Sequence, residues 1–139
     1  MADAIIRAAL ESHLVAMADL PEARKFEGQP FAAPGNQPWL KVGLAPGAAT
    51  VVAFGAGGIV RRQGAFAIEL NEPVDGGRGL AHIERLADAL AAHFRPGAAL
   101  SRDGLVVRIA RTQRGAVAET ANRLSLTVSA EYFCDCPNS

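Results

Sequence analysis

The stretch RLSLTVSAEY, residues 123–132, alternates polar and apolar residues along its whole length. Successive side chains of a β-strand point to opposite faces, so this period of two predicts a strand with one buried and one solvated face. The residues predicted to face inward are Leu124, Leu126, Val128, Ala130 and Tyr132. Such a strand is stable only within a sheet whose apolar face is covered. The rest of the chain must therefore supply both the other strands and the elements that cover this face.

Shorter runs upstream predict the other strands of this sheet. They lie at residues 39–44, 50–54, 59–62, 66–71 and 105–109. Pro46 and Gly47 are expected to end the first strand, and the glycines of residues 55–58 to turn the chain after the second. Gly64 is expected to mark a bulge between two halves of one long strand, and Gly115 to lie in the final turn.

Two segments carry apolar residues at the spacing of an amphipathic helix. Residues 3–18 place Ile6, Leu10, Leu14 and Met17 on one stripe. Residues 79–94 place Leu80, Ile83, Leu86, Ala87, Leu90 and Phe94 on another. Between the first helix and the first strand, residues 21–38 contain four prolines and two glycines, which predicts a long irregular connection.

These elements predict a single α+β domain over residues 1–139. Its architecture is expected to be a mainly antiparallel sheet of about five strands, with two amphipathic helices packed on one face. Residues 134–139, which include Cys134 and Cys136, are expected to form a loose tail beyond the last strand.

Composition narrows the possible functions. The chain has 14 Lys+Arg, 14 Asp+Glu and 50% hydrophobic residues, which excludes a disordered chain and argues against a protein whose main task is to grip nucleic acid. No apolar run approaches the ~20 residues of a membrane span. Because Asp3 and Arg7 interrupt the N-terminal apolar stretch, no signal peptide is predicted, and the chain is expected to stay in the cytoplasm.

A metal site has little support. Cys134 and Cys136 supply two thiols, but a structural zinc site needs four ligands. His82 and His93 lie on one predicted helix and ~16 Å apart along its axis, so they cannot hold one ion. Both histidines are expected at the edge of the buried helical stripe, and no metal is predicted.

Cofactor binding and catalysis are equally weakly supported. The glycines of residues 55–58 lead into a strand, and Gly76, Gly77, Arg78 and Gly79 precede a helix without the dinucleotide spacing or a P-loop ending. Ser12 and His13 are neighbours on a helix and point about 100° apart. No pair of carboxylates and no nucleophile elbow is marked by spacing. The sequence therefore predicts no catalytic, cofactor-binding or metal-binding residue, and no enzyme.

Six arginines fall on predicted strands or their connections: Arg61, Arg62, Arg108, Arg111, Arg114 and Arg123. They do not interleave with aromatic residues as the side chains of a single-strand stacking platform do. They are interpreted as solvated or as facing another subunit. Neither a membrane nor a sequence-specific nucleic acid is expected as a partner.

Several motifs occur in a recognisable order. A helix IIRAALESHL (5–14) precedes a proline-rich stretch that ends in PWLKV (38–42). The motif R-x-x-G-x-F-x-I is formed by Arg61, Gly64, Phe66 and Ile68. After the turn GGRG, the motif A-D-x-L-x-x-x-F is formed by Ala87, Asp88, Leu90 and Phe94. Over nearly its whole length, the chain resembles the tail terminator (tail completion) proteins of long-tailed bacteriophages and prophages, the lambda-type minor tail proteins.

The resemblance implies a structural role. Such proteins cap the head-proximal end of the tail tube, usually as a six-membered ring, stop further addition of tube subunits and give the head a surface to join. The implied partners are further copies of the chain, the tail tube protein and a head–tail connector protein. The implied location is the bacterial cytoplasm during assembly and then the head-proximal end of the virion tail.

Two segments are expected to form the contact surfaces of such an assembly, namely the hairpin around residues 55–58 and the proline-rich residues 21–38. The interaction residues predicted on and beside the hairpin are Gly55, Gly57, Gly58, Arg61, Arg62 and Gly64.

Two other interpretations stay open. One is another neck or connector protein of the same virion. The other is a small α+β ligand-binding module or enzyme that uses the pocket between helices and sheet, with His82, Asp75 or Arg78 at its centre.

Overall fold

The computed structural model describes residues 2–55, 57–74, 79–120 and 122–137, which contain two helices and seven strands. In chain order these are α1 (Ala2–Val15), β1 (Ala23–Lys25), β2 (Trp39–Ala53), β3 (Ile59–Pro73), α2 (Gly79–His93), β4 (Ala99–Arg102), β5 (Leu105–Arg114), β6 (Ala118–Thr120) and β7 (Arg123–Pro137).

The strands form one sheet in the order β1-β2-β3-β7-β5-β4, and β6 pairs with β7 outside this path. Strands β1 and β2 are parallel, and the other described pairs are antiparallel. The longest uninterrupted ladder joins β3 and β7, from Ile59 opposite Pro137 to Pro73 opposite Arg123. The strand with the clearest alternation in sequence therefore lies inside the sheet.

One hydrophobic cluster joins the sheet and both helices. The five side chains predicted to face inward on β7 are all buried. Helix α1 contacts β4 and β5, whereas α2 contacts β3, β5 and β7. The predicted stripes are buried at Ile6, Leu10 and Leu14 of α1 and from Ile83 to Leu90 of α2, but Leu80, also predicted on the second stripe, is 50% exposed. The ends of both helices lie within three residues of the predicted ones. The predicted α+β class with two amphipathic helices is confirmed.

The predicted number of strands was too low, because three short strands escaped notice. Strand β1 lies within residues 21–38, which were expected to be wholly irregular. Strands β4 and β6 have four and three residues. Strand β4 did have a local signal, since Asp103 (φ 48°) and Gly104 (φ 83°) form the two-residue turn that joins it to β5.

The predicted break at Pro46 and Gly47 is instead a bulge inside one continuous strand. The register of β2 against β3 shifts between Pro46 and Ala49. Beyond Lys41 no described strand pairs with the outer edge of β2, and a proline is tolerated on such an edge because no ladder bond needs its missing N–H. A Cβ at position 47 would lie 2.9 Å from the Gln63 carbonyl oxygen, so glycine fits the bulge.

Gly64 itself is not bulged, because β3 runs opposite β7 without a register shift and pairs Gly64 with Tyr132. The bulge of this part of the sheet lies on the neighbouring strand β2, directly after the pair of Pro46 and Gly64. A Cβ at position 64 would lie 2.5 Å from the Ala45 carbonyl oxygen and 2.7 Å from the Tyr132 hydroxyl oxygen. The glycine therefore allows a close approach of neighbouring strands.

The loose tail predicted from residue 134 onward is also wrong for residues 134–137, which continue β7. Cys134 lies opposite Arg62, and Cys136 lies opposite Val60. Both thiols are buried, at 0% and 5% exposure, because the period of two simply continues past Tyr132. Residues 138 and 139 lie outside the described residues.

The substitution Gly64→Ala is expected to lower the free energy of unfolding by about 2 kcal/mol, because the new methyl group overlaps a backbone oxygen that cannot move without breaking the sheet. Urea denaturation measures this change. The matched control is Gly35→Ala, where a Cβ meets nothing within 4 Å and the expected change is within about 0.5 kcal/mol. Equal changes in the two variants would contradict the close-approach argument.

Candidate interaction surface

The hairpin of β2 and β3 extends past the hydrophobic core. Up to Leu44, β2 alternates between buried and more exposed residues, but all eight residues from 45 to 52 are exposed. Loss of alternation means that neither face of the strand is covered by the rest of the chain. We call residues 45–62, of which 56 lies outside the described residues, the hairpin arm.

Glycines shape the tip of the hairpin arm as the sequence predicts. Gly55 and Gly57 have φ values of 90° and 79°, and the Gly58 N–H donates to the Gly55 carbonyl oxygen at 2.9 Å. A side chain at position 58 would overlap the Ala53 carbonyl oxygen. These three predicted interaction residues therefore lie together at the tip and form its turn. That they contact a partner stays a prediction.

Large apolar side chains surround this turn, and the sequence analysis missed them as candidates. Phe54 is 87% exposed, and Val51, Val52 and Ile59 are 41%, 46% and 38% exposed. Exposed apolar side chains that cluster mark sites of interaction with other molecules. The signal present in the sequence was an apolar run directly before a glycine turn, but such a run normally indicates a buried strand.

Arg61 is held inside the chain. Its Nε and Nη2 groups donate to the two carboxylate oxygens of Asp135 at 2.8 and 3.0 Å, and its guanidinium lies 4.5 Å from the centre of the Phe133 ring. The hydrogen bond from Arg61 lowers the pKa of Asp135. Of the predicted interaction residues, Arg61 therefore fixes the hairpin arm to the end of β7, whereas Arg62 forms no ion pair within the described residues.

Three of the six arginines noted in the sequence contact different parts of the chain. Arg111 faces Glu131 at 3.5 Å, Arg114 bonds Glu84 and Asp88 on α2, and Arg123 lies over the Trp39 ring. These contacts lie on different strands and on α2. In each of them a carboxylate neutralises the arginine charge, or an aromatic ring lies against it. Within the described residues, these three arginines therefore do not line up as a track for a nucleic-acid backbone.

The proline-rich segment, residues 21–38, is fixed to the rest of the chain by Glu27. One carboxylate oxygen of Glu27 lies 2.5 Å from Arg7 Nη1 and accepts the Leu44 N–H at 2.6 Å. The hydrogen bond from Arg7, followed by that from Leu44, lowers the pKa of Glu27. The segment therefore joins α1 to the free edge of β2. Its predicted role as a contact surface stays a prediction.

His13 and His93 join the last turns of the two helices. His13 Nε2 lies 2.7 Å from the His93 carbonyl oxygen, and His93 Nε2 lies 2.6 Å from the His13 carbonyl oxygen. A carbonyl only accepts, so both rings donate from Nε2. The rings stack at 3.9 Å between centroids. Burial is the largest cause that lowers the pKa of His13, and the nearby charge of Arg95 acts in the same direction.

The remaining groups do not assemble a reactive site. His82 Nδ1 lies 3.0 Å from the buried carboxylate of Glu72. The Cys134 and Cys136 sulfurs are 3.7 Å apart, and burial raises the pKa of Cys134 to about 12, which keeps that thiol protonated. Within the described ranges, no three His, Cys, Asp or Glu side chains are placed to hold a metal ion.

His82 also lines a cavity of about 580 Å³ between the end of α1 and the start of α2. Its other lining residues are Asp19, Leu20, Pro21, Glu22, Gln37 and Pro38. Asp75 and Arg78, which the ligand-binding interpretation placed beside His82, lie outside the described residues, as do Gly76 and Gly77. No nucleophile lies beside a base among the lining residues, so the cavity offers no catalytic arrangement.

Comparison with known proteins gives one family match. A family model described as phage tail terminator protein matches residues 5–132. Seven chains of solved structures also match; one of them aligns over 100% of this chain and 99% of its own, with a TM-score of 0.76 and 23% identity, which shows a shared fold. No curated protein matches. No helix in the described part of the chain is long and apolar enough to cross a membrane.

Acidification is expected to weaken the fold through His13. Its pKa in the folded chain lies below the ordinary 6.5, so the unfolded chain takes up the proton first. The neutral His13 ring therefore contributes to the free energy of unfolding above pH 6.5, and this contribution is lost as the pH falls below that value. Between pH 7.5 and 5.5 this group should therefore lower the free energy of unfolding.

Urea denaturation of the wild type and of His13→Gln at both pH values checks this expectation. Glutamine keeps an N–H donor for the His93 carbonyl but does not titrate, so the loss on acidification should shrink in the variant. Comparing the two chains cancels the contributions of other titrating groups. An undiminished pH dependence in His13→Gln would exclude the proposed role of the ring.

Proposed function

Because the chain belongs to the phage tail terminator family, we propose that it caps the head-proximal end of a phage tail tube, stops tube polymerisation and prepares the joint with the head. The members of this family are structural proteins of phage tails, and the proposal starts from this role. The match over residues 5–132 is the observation that carries this proposal.

The proposed assembly is a homohexameric ring at the end of the tube. Its partners are neighbouring copies, the tail tube protein on one side and a head–tail connector protein on the other. A ring places unlike patches of each copy against one another. The hairpin arm supports this proposal because Phe54 and the valines beside it stay exposed until another molecule covers them.

The same features support a structural role over an enzymatic one. The reactive groups of the described residues are engaged in packing contacts: His13 with His93, His82 with Glu72, and the two buried thiols with each other. The exposed surface of the hairpin arm is mostly apolar, and its described residues include no histidine, cysteine or carboxylate. We propose binding to other proteins as the task of this surface.

Deletion of the gene from the phage or lysogen that carries it is expected to give overlong tails of irregular length without heads. Electron microscopy of the tail-length distribution measures this. Tails of normal length joined to heads would contradict the proposed function and would favour a ligand-binding module. Tails of normal length that fail to join heads would contradict termination and would favour a neighbouring connector protein.

Complementation of the deletion with Phe54→Ser is expected to fail, because the variant loses the most exposed apolar side chain of the hairpin arm. The free energy of unfolding should change by no more than about 0.5 kcal/mol, since the Phe54 side chain is 87% exposed in the single chain. Leu80→Ser, at a 50% exposed position on α2, is the matched control and should restore normal tails. Full complementation by Phe54→Ser would contradict a role for the hairpin arm.

A further inference from the structure

We propose that the outer edge of β2 at residues 49–53 pairs with the outer edge of β4 in a second copy of the chain, so that the sheet continues from one copy to the next. This inference rests on the proposed ring and adds to it the strands that form the contact between copies.

The first half of the β2 edge is protected against such pairing by three separate devices. Strand β1 covers residues 39–41. The Glu27 carboxylate accepts the Leu44 N–H at 2.6 Å. Pro46 has no N–H to offer. Natural proteins block sheet edges in these ways to prevent unwanted strand pairing.

None of the three devices lies beyond Pro46, the second residue of the hairpin arm. Within the described residues, no strand and no side-chain acceptor covers the outer edge of residues 49–53. The segment also lacks the charged side chains that usually blunt an edge, and it carries Val51 and Val52 instead. Protection of one half and exposure of the other half of the same strand indicate that the open half is an edge for pairing.

The register shows which backbone groups point outward. Leu44, whose N–H is turned away from β3, lies opposite Phe66. In an antiparallel ladder, every second residue has the same hydrogen-bonding position, so Arg62 and Val60 of β3 are equivalent to Phe66. The residues opposite them on β2 are Ala49 and Val51. The N–H groups of Ala49 and Val51 therefore point away from β3, toward a strand that the single chain does not supply.

Strand β4 offers the complementary edge. It ends the strand path on the other side of the sheet, so its outer side has no partner among the described strands. Ala99, Ser101 and Arg102 of this strand are exposed. Its four residues are similar in length to residues 49–53 of β2, whose register against β3 shifts once more between Val51 and Ala53.

Pairing of these two unlike edges favours a ring over a dimer. The edges lie at opposite ends of the strand path, so each added copy leaves one β2 edge and one β4 edge open for the next. A contact of this heterologous type closes when the rotation between copies divides a full turn. Pairing of β2 with β2 would instead consume the edge in a two-fold dimer.

A crosslinking experiment on assembled tails tests the contact. The double variant Val51→Cys and Ser101→Cys replaces the wild-type chain in the phage or lysogen, and purified tails are treated with a short bismaleimide. The reagent spans diagonal neighbours on adjacent strands, about 7–8 Å apart, so the test tolerates a small error in register. Cys134 and Cys136 are buried, and the chain without the two substitutions is the control for their reactivity.

The expected result is a ladder of dimer, trimer and higher multiples in denaturing gels, up to the size of the ring. Each single variant should give monomers only. Dimers from Val51→Cys alone would overturn the proposal in favour of β2–β2 pairing. Absence of the ladder from tails of normal length that retain the double variant would overturn it and leave the proposed terminator function standing.

A proline variant decides the outcome if the double variant fails to assemble. Val51→Pro removes one outward donor and no hydrogen bond to β3, so the urea midpoint should stay that of the wild type. Retention on purified tails should fall about tenfold or more, with overlong tails as the result. Normal retention of Val51→Pro would overturn the strand pairing. If deletion of the whole gene leaves tail length unchanged, the proposed function fails instead.

Discussion

The ladder between β3 and β7 is the constraint on which the rest of the structure depends. It runs without a register shift from Pro73 opposite Arg123 to Ile59 opposite Pro137. At one end it supplies core side chains such as Phe66 and Val128, and at the other it leaves the core as part of the hairpin arm. The backbone hydrogen bonds between β3 and β7 continue from the core into the hairpin arm. Beyond the core, the ion pair of Arg61 and Asp135 also joins the two strands, so the exposed hairpin arm keeps the structure of a β-sheet.

The two motifs that resemble the family consist of residues that maintain this arrangement. Gly64 allows the close approach of Ala45 and Tyr132 where the core ends, Phe66 lies inside the core, and Arg61 fixes the hairpin arm. In the second motif Leu90 and Phe94 are buried, whereas Asp88 accepts a hydrogen bond from Arg114 of β5. Such an exposed pair contributes little free energy, so the buried residues of the motif hold α2 on the sheet.

Sequence predicted the elements whose periodicity is long enough to be decisive, namely β7, β3 and both helices. It missed β1, β4 and β6, because strands of three or four residues are defined by the partner they pair with rather than by their own pattern. It predicted the glycine turn of the hairpin arm from residue type. It did not predict the exposure of Phe54, because the apolar run before it is typical of a buried strand, and only the structure shows that burial ends at Leu44.

If the hairpin arm joins copies of the chain as proposed, the free energy of that contact would favour assembly of many copies over pairing of two. Covering Phe54 and the adjacent valines would contribute about 2 kcal/mol per side chain at most, and each edge hydrogen bond about 1 kcal/mol. Association of two chains costs about 4–15 kcal/mol in lost freedom of motion, so one such contact is marginal. In a closed ring, the last contact forms between two chains that the other contacts already hold together. It therefore costs no further translational or rotational freedom. A tube end that gathers the copies would therefore favour the proposed ring over separate chains in dilute solution.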